Sequence, residues 1–93
     1  MAAMTADEIQ GACEGLRGWE ADVEAPSISR DYQFPTFPAA VRFVDFVAEL
    51  AEAADHHPDI DVRYNRVRLT LSTHSAGGVT EKDFALARAI DQG

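Results

Sequence analysis

All three histidines of this chain fall in two short stretches, Asp55-His56-His57-Pro58 and Leu71-Ser72-Thr73-His74. Histidine both gives and accepts protons near neutral pH, so histidines on two different elements can serve one proton-transfer site. Asp55 and Asp83 are the carboxylates near enough in sequence to set their tautomers and charge. These are the parts of an elimination: one imidazole protonates a leaving hydroxyl while another group removes a proton. Two other readings compete. Two or three histidines and a carboxylate also suit zinc or iron, although adjacent side chains such as those of His56 and His57 diverge on an extended segment. The blandest reading is structural. A histidine near a helix C-terminus is favoured by the partial negative charge of the carbonyl end. It leaves unexplained why all three histidines flank one predicted hairpin. The sequence contains no nucleophile motif, phosphate loop or cofactor fingerprint.

The elements that must position these residues are legible. Thr5-Ala-Asp-Glu8 has the pattern of a capping box, and Ile9, Ala12, Cys13 and Leu16 follow at helical spacing. A first helix is expected over residues 6–17, closed by Gly18. Residues 19–23 and 27–34 read as two strands, separated by Glu24, Ala25 and Pro26. Ile28, Tyr32 and Phe34 share one face, with Arg30 as a charged exception. Thr36 caps a second helix with Pro38 in its first turn. Its apolar stripe runs Phe37, Ala40, Val41, Val44, Val47, Ala51 and Ala54, widened by Phe43, Phe46 and Leu50. A stripe that wide predicts burial on more than one side, and so a possible oligomer interface. Pro58 stops the helix and forces His57 to be extended, which presents the histidine pair on a helix-to-strand corner.

Residues 60–64 and 67–73 predict a second hairpin turning at Asn65-Arg66. Val67, Leu69, Leu71 and Thr73 face the helices; Arg68, Thr70, Ser72 and His74 face the other way. Ala76-Gly77-Gly78 is a loop, and Thr80-Glu-Lys-Asp83 opens a third helix with a second capping-box pattern. The expected fold is a single α+β domain over residues 1–93. It has the order α-β-β-α-β-β-α, with three helices on one face of a four-stranded antiparallel sheet.

The bulk properties narrow the function. At 93 residues, 46% apolar and net charge −8, the chain is one ordered domain. The charge argues against direct binding to nucleic acid or an anionic membrane. Arg63, Arg66 and Arg68 are a local exception: a solvated strand face, or an attraction for an anionic or electron-rich ligand. A lone cysteine, Cys13, excludes an intrachain disulfide, and no apolar run reaches the length of a membrane span. The first ten residues carry neither a basic nor an apolar signal region, so a cytoplasmic location is expected.

Three blocks then combine: Glu52-Ala-Ala-Asp55-His56-His57-Pro58-Asp59, Tyr64-Asn65-Arg66-Val67 with Leu69-Thr70-Leu71-Ser72-Thr73-His74, and Gly78-Val79-Thr80-Glu81-Lys82-Asp83. Together with Gly18-Trp19 they closely resemble the pterin-4a-carbinolamine dehydratase family over nearly the whole chain. The resemblance implies a saddle-shaped sheet in homodimers or homotetramers. It implies dehydration of 4a-hydroxytetrahydrobiopterin to quinonoid dihydropterin without metal or organic cofactor, recycling the cofactor of aromatic amino acid hydroxylases. It also implies catalytic roles for His56, His57, His74 and Asp83. Glu52, Asp55, Ser72 and Thr73 would line the substrate site, with Trp19 at its border. Two positions depart from the family: Ile60 replaces a usual aromatic residue, and Lys82 stands where arginine is common. The resemblance leaves two alternatives open: a non-catalytic dimerisation or assembly cofactor for a protein partner, and a role with another pterin, such as in molybdopterin metabolism.

Overall fold

The computed structural model describes residues 3–22 and 26–92. Its elements run α1 (Ala6–Glu14), β1 (Glu20–Asp22), β2 (Ser27–Gln33), α2 (Phe37–Ala54), β3 (Asp59–Arg63), β4 (Arg66–Leu71), a short 3-10 turn (His74–Ala76) and α3 (Glu81–Gln92). The order is the expected one, in an α+β domain with one antiparallel sheet. The strand sequence across the sheet is β1-β2-β4-β3. β4 therefore lies between β2 and β3, which puts the strand leading to His74 in the interior of the sheet.

β4 shows how the pattern makes the layer. Val67, Leu69 and Leu71 alternate with Arg66, Arg68 and Thr70, and all three apolar side chains are fully buried under the helices. Ile9 from α1, Trp19, Ile28 from β2, Ala40, Val47 and Ala51 from α2, Val79, and Phe84, Leu86, Ala87 and Ile90 from α3 are buried with them. Among the described residues, the strands present no apolar side chain on the other face. Arg68 sits between Asp31 and Asp61 in register, and Arg66 between Gln33 and Arg63. The arginine cluster thus faces away from the helices.

Several boundaries differ from the sequence expectation, for local reasons. The capping box at Thr5 and Glu8 is formed. The helix ends at Glu14 rather than residue 17, because the Gly15 and Leu16 N–H groups already close it on the Ala12 and Cys13 carbonyls. Gly18 acts later, at φ 87°, where an added Cβ would lie 2.8 Å from Arg30 Nε. Val23, Glu24 and Ala25 of the first predicted hairpin lie outside the described residues. The second hairpin turns at Tyr64-Asn65 instead of Asn65-Arg66: Tyr64 takes φ 54°, and Arg66 pairs with Arg63. Strand β4 stops at Leu71, so His74 leaves the sheet in the 3-10 turn.

The α2 stripe is only partly covered. Ala40, Val47 and Ala51 are buried, while Phe37 and Val41 remain exposed. At the sheet edge Ile60 and Val62 point to the helix side, in register with Leu69 and Val67, yet both remain exposed. Arg30, the charged exception on β2, lies over the Tyr32 ring and bonds the Arg17 carbonyl and Asp91.

Candidate active site

The end of α2 sets the histidine pair. Asp55 adopts the left-handed conformation (φ 50°, ψ 44°), which Asp tolerates better than most residues. Its N–H and that of His56 close on the last carbonyls of the helix, His56 N–H reaching Ala51 O at 3.1 Å. The left-handed turn swings His56 inward and Pro58 prevents the helix from resuming. His56 is nearly buried, its side chain 10% exposed, whereas that of His57 is 58% exposed. Adjacent in sequence, the two rings have different partners: His56 Nε2 meets Asp83 Oδ1, and His57 Nε2 meets Glu52 Oε1 at 2.6 Å.

Asp83 is fully buried in the first turn of α3, where a carboxylate is favoured by the positive end of the helix. Its Oδ2 accepts the Thr80 N–H at 2.9 Å, the carboxylate half of the expected capping box. The hydroxyl half is redirected. Thr73 Oγ1 donates to Asp83 Oδ2 at 2.9 Å and lies 2.8 Å from Thr80 Oγ1. A hydroxyl has one proton, so Thr80 must donate to Thr73, and Thr80 Oγ1 accepts from the Lys82 N–H at 3.3 Å. Every donor is thereby aimed along one direction, toward Asp83. The remaining oxygen holds His56, whose Nε2 carries the proton, and Nδ1 is the nitrogen left for a ligand.

His74 is held differently. Thr73 and Gly78 form an isolated bridge, with Thr73 N–H bonded to Gly78 O at 2.7 Å. The four residues between them close into a tight turn, with Gly77 at φ 73°. His74 is exposed on this turn, and neither ring nitrogen has a partner among the described residues. Asp55, His56, His57, Ser72, Thr73, His74, Ser75 and Lys82 line a cleft of about 260 Å³. The fold thus brings the two histidine stretches, with His56 and His74 18 residues apart, to one cavity.

Three candidates are placed otherwise. Glu52 reaches the cleft only through His57, because its side chain is spent on that ring at the exposed last turn of α2. Asp83 lies beneath the cleft and acts on it through His56. Trp19 lines neither cleft that His74 borders. It is buried with its Nε1 donating to Asp91 Oδ2 at 2.8 Å, in a cluster with Arg30 and Tyr32, whose hydroxyl donates to Asp91 Oδ1 at 2.6 Å. Burial first, and the Asp91 carboxylate second, push the Tyr32 phenol above its ordinary range. Ser75 and Lys82 line the cleft without having been marked as site residues; only the helical phase of Lys82, next to Asp83, could have suggested it. The arginine cluster borders a separate concavity of about 520 Å³ that shares no lining residue with the histidine cleft.

Comparison with known proteins shows the family. The family model for pterin 4 alpha carbinolamine dehydratase matches residues 2–93, and the chain belongs to that family. A provisionally named pterin-4-alpha-carbinolamine dehydratase of Chloroflexus aurantiacus is 66% identical over 70 residues, 75% of either chain. The crystal structure of a transcriptional coactivator/pterin dehydratase from Brucella melitensis superposes with TM-score 0.91 at 39% identity, covering 97% of this chain and 96% of that one. A pterin dehydratase-like protein described as a RuBisCO assembly factor in the alpha-carboxysome shares the fold, with TM-score 0.70 at 23% identity over 83% of this chain and 89% of that one.

Proposed function

We propose that this chain dehydrates a 4a-hydroxytetrahydropterin, 4a-hydroxytetrahydrobiopterin in the first instance, to the quinonoid dihydropterin, recycling the cofactor of aromatic amino acid hydroxylases. The observation that carries this reading is the pairing of two unlike imidazoles in one cleft. His56 is locked on a buried carboxylate with Nδ1 left over, and neither nitrogen of His74 has a partner among the described residues. In the proposed reaction His74 protonates the 4a-hydroxyl, which leaves as water while the N5 lone pair forms the C4a=N5 bond. His56 Nδ1 then takes the N5 proton, and Asp83 holds the resulting imidazolium. Ser72, Thr73, Asp55 and the His57 ring hold the flat substrate. The scheme calls on no metal and no organic cofactor.

Self-association belongs to the same proposal. Phe37 and Val41 on α2 and the exposed edge strand β3, with Ile60 and Val62, offer apolar surface that a homodimer or homotetramer would cover. The same surfaces support the second reading, assembly of a protein partner. The intact histidines favour the enzyme: Asp83 also caps α3 through the Thr80 N–H, but a purely structural domain has no need of three histidines at one cleft.

The test is the dehydration rate of enzymically generated 4a-hydroxytetrahydropterin, followed through quinonoid dihydropterin absorbance. Acceleration over the spontaneous rate that is lost in both His56→Ala and His74→Ala, with the fold intact by circular dichroism, is the expected result. No acceleration by the unmodified chain rejects the enzyme reading in favour of the assembly role.

A further inference from the structure

The histidine cleft, at about 260 Å³, is smaller than the roughly 300–1,000 Å³ usual for a small-molecule site. It does not end at His74. Ser72, Thr73 and His74 also line a second cleft of about 390 Å³, completed by Pro26, Ser27, Asp59, Thr70, Gly77 and Gly78. The two clefts lie on different sides of the sheet. The first opens between the ends of α2 and α3. The second lies on the open face, where Asp59 and Thr70 are cross-strand partners. They share Ser72, Thr73 and His74, at the end of β4.

The second cleft has a definite chemistry. Its side-chain functional groups are the hydroxyls of Ser27, Thr70 and Ser72, the His74 ring and the Asp59 carboxylate, with no lysine or arginine among them; the Thr73 hydroxyl is committed to Asp83 and Thr80. The Asp59 carboxylate has no hydrogen-bonding or ionic partner among the described residues, although its neighbours Asp31 and Asp61 on the same face are both paired with arginine. A carboxylate beside hydroxyls accepts hydrogen bonds from a polar neutral chain and repels an anionic one.

We propose that this second cleft is the subsite for the C6 substituent of the pterin, and that Asp59 selects a short hydroxylated chain over a carboxylated one. The inference rests on the dehydratase reading above, which places the ring between His56 and His74. The chain at C6 then runs past His74 onto the open face of the sheet. The discrimination is of the kind a site gains by matching hydroxyls and leaving an anion uncompensated.

Two substrates separate this inference from the reading beneath it. The 6-methyl carbinolamine has no polar chain, so its dehydration tests the chemistry alone; the 6-(1,2-dihydroxypropyl) carbinolamine tests the subsite. In Asp59→Ala the ratio of their kcat/KM values should fall about 10-fold toward the methyl compound, as for loss of a hydrogen bond to a charged group. In Asp59→Asn, which keeps an acceptor and removes the charge, inhibition by 6-carboxypterin should strengthen about 5-fold relative to inhibition by 6-hydroxymethylpterin. Acceleration of the 6-methyl reaction with both quantities unchanged within twofold overturns the subsite and leaves the dehydratase standing. No acceleration of the 6-methyl reaction overturns both.

Discussion

Replacing Asp83 by asparagine exchanges one oxygen for an NH2 group and should invert the tautomer of His56. The reason lies in the partners of the carboxylate. Oδ2 accepts the backbone N–H of Thr80 and the hydroxyl of Thr73. The Thr80 N–H can only donate, so the amide oxygen of asparagine must take the Oδ2 position and its NH2 must face His56 Nε2. That nitrogen then has to accept, which moves the ring proton to Nδ1, the nitrogen left for the ligand. The general base loses its lone pair without moving. The expected loss in kcat is roughly 100- to 10,000-fold, the usual value of one positioned acid or base. The fold should survive with a cost of about 1–3 kcal/mol, because the Thr73 and Thr80 bonds go from a charged to a neutral acceptor inside the protein. Asp83→Ala should cost more stability, since it leaves the buried Thr80 N–H with no acceptor. Two measurements are needed: the dehydration rate, and the nitrogen-15 shifts of the His56 ring by NMR, which report where the proton sits. An asparagine variant with full activity, or one that is inactive while His56 still carries its proton on Nε2, would refute the reasoning.

The other predictions concern single contacts. His74→Ala should lower kcat roughly 100- to 10,000-fold and leave the urea midpoint unchanged, because its ring has no partner to lose. His57→Ala should lower kcat about 10-fold at most, since this exposed ring is held by Glu52 and sits off the proton path; stopped-flow rates compare the two. Asp91→Ala removes the acceptor for Trp19 Nε1, Tyr32 Oη and Arg30 Nη1. It should cost about 2 kcal/mol, a fall in Tm of roughly 10 °C by calorimetry, with the dehydration rate at 25 °C retained. The raised pKa of the Tyr32 phenol gives a pH signature. Ionisation is penalised in the folded chain only, so this stabilisation is complete below the unfolded value near pH 10 and fades as pH rises toward the folded one. Urea titrations over about pH 9 to 11 should show stability declining in the unmodified chain and declining less in Tyr32→Phe; equal slopes would contradict the assignment.

The sequence by itself determined the elements and the layer they form. Alternation along Val67, Leu69 and Leu71, the cap at Thr36 and the stop at Pro58 are local signals, because strand pleat, helix capping and proline geometry depend on a few neighbouring residues. The same locality made the candidate histidines visible as chemistry and, with the surrounding blocks, as a family. Where local signals competed, the boundaries moved. Gly15 ended α1 before Gly18 could, and Tyr64 rather than Arg66 took the turn. Only the tertiary structure decided what each candidate touches. Thr73 reads as the last inward residue of a strand, yet its hydroxyl joins Thr80 to Asp83 across residues that meet only when α3 packs on the sheet. Trp19, adjacent to a family motif, is drawn instead to Asp91, 72 residues away. His56 and His57 share a backbone corner and part company because one ring finds a buried carboxylate and the other an exposed one. Such partnerships join residues distant in sequence through the packing of whole elements, and spacing along the chain carries no record of them.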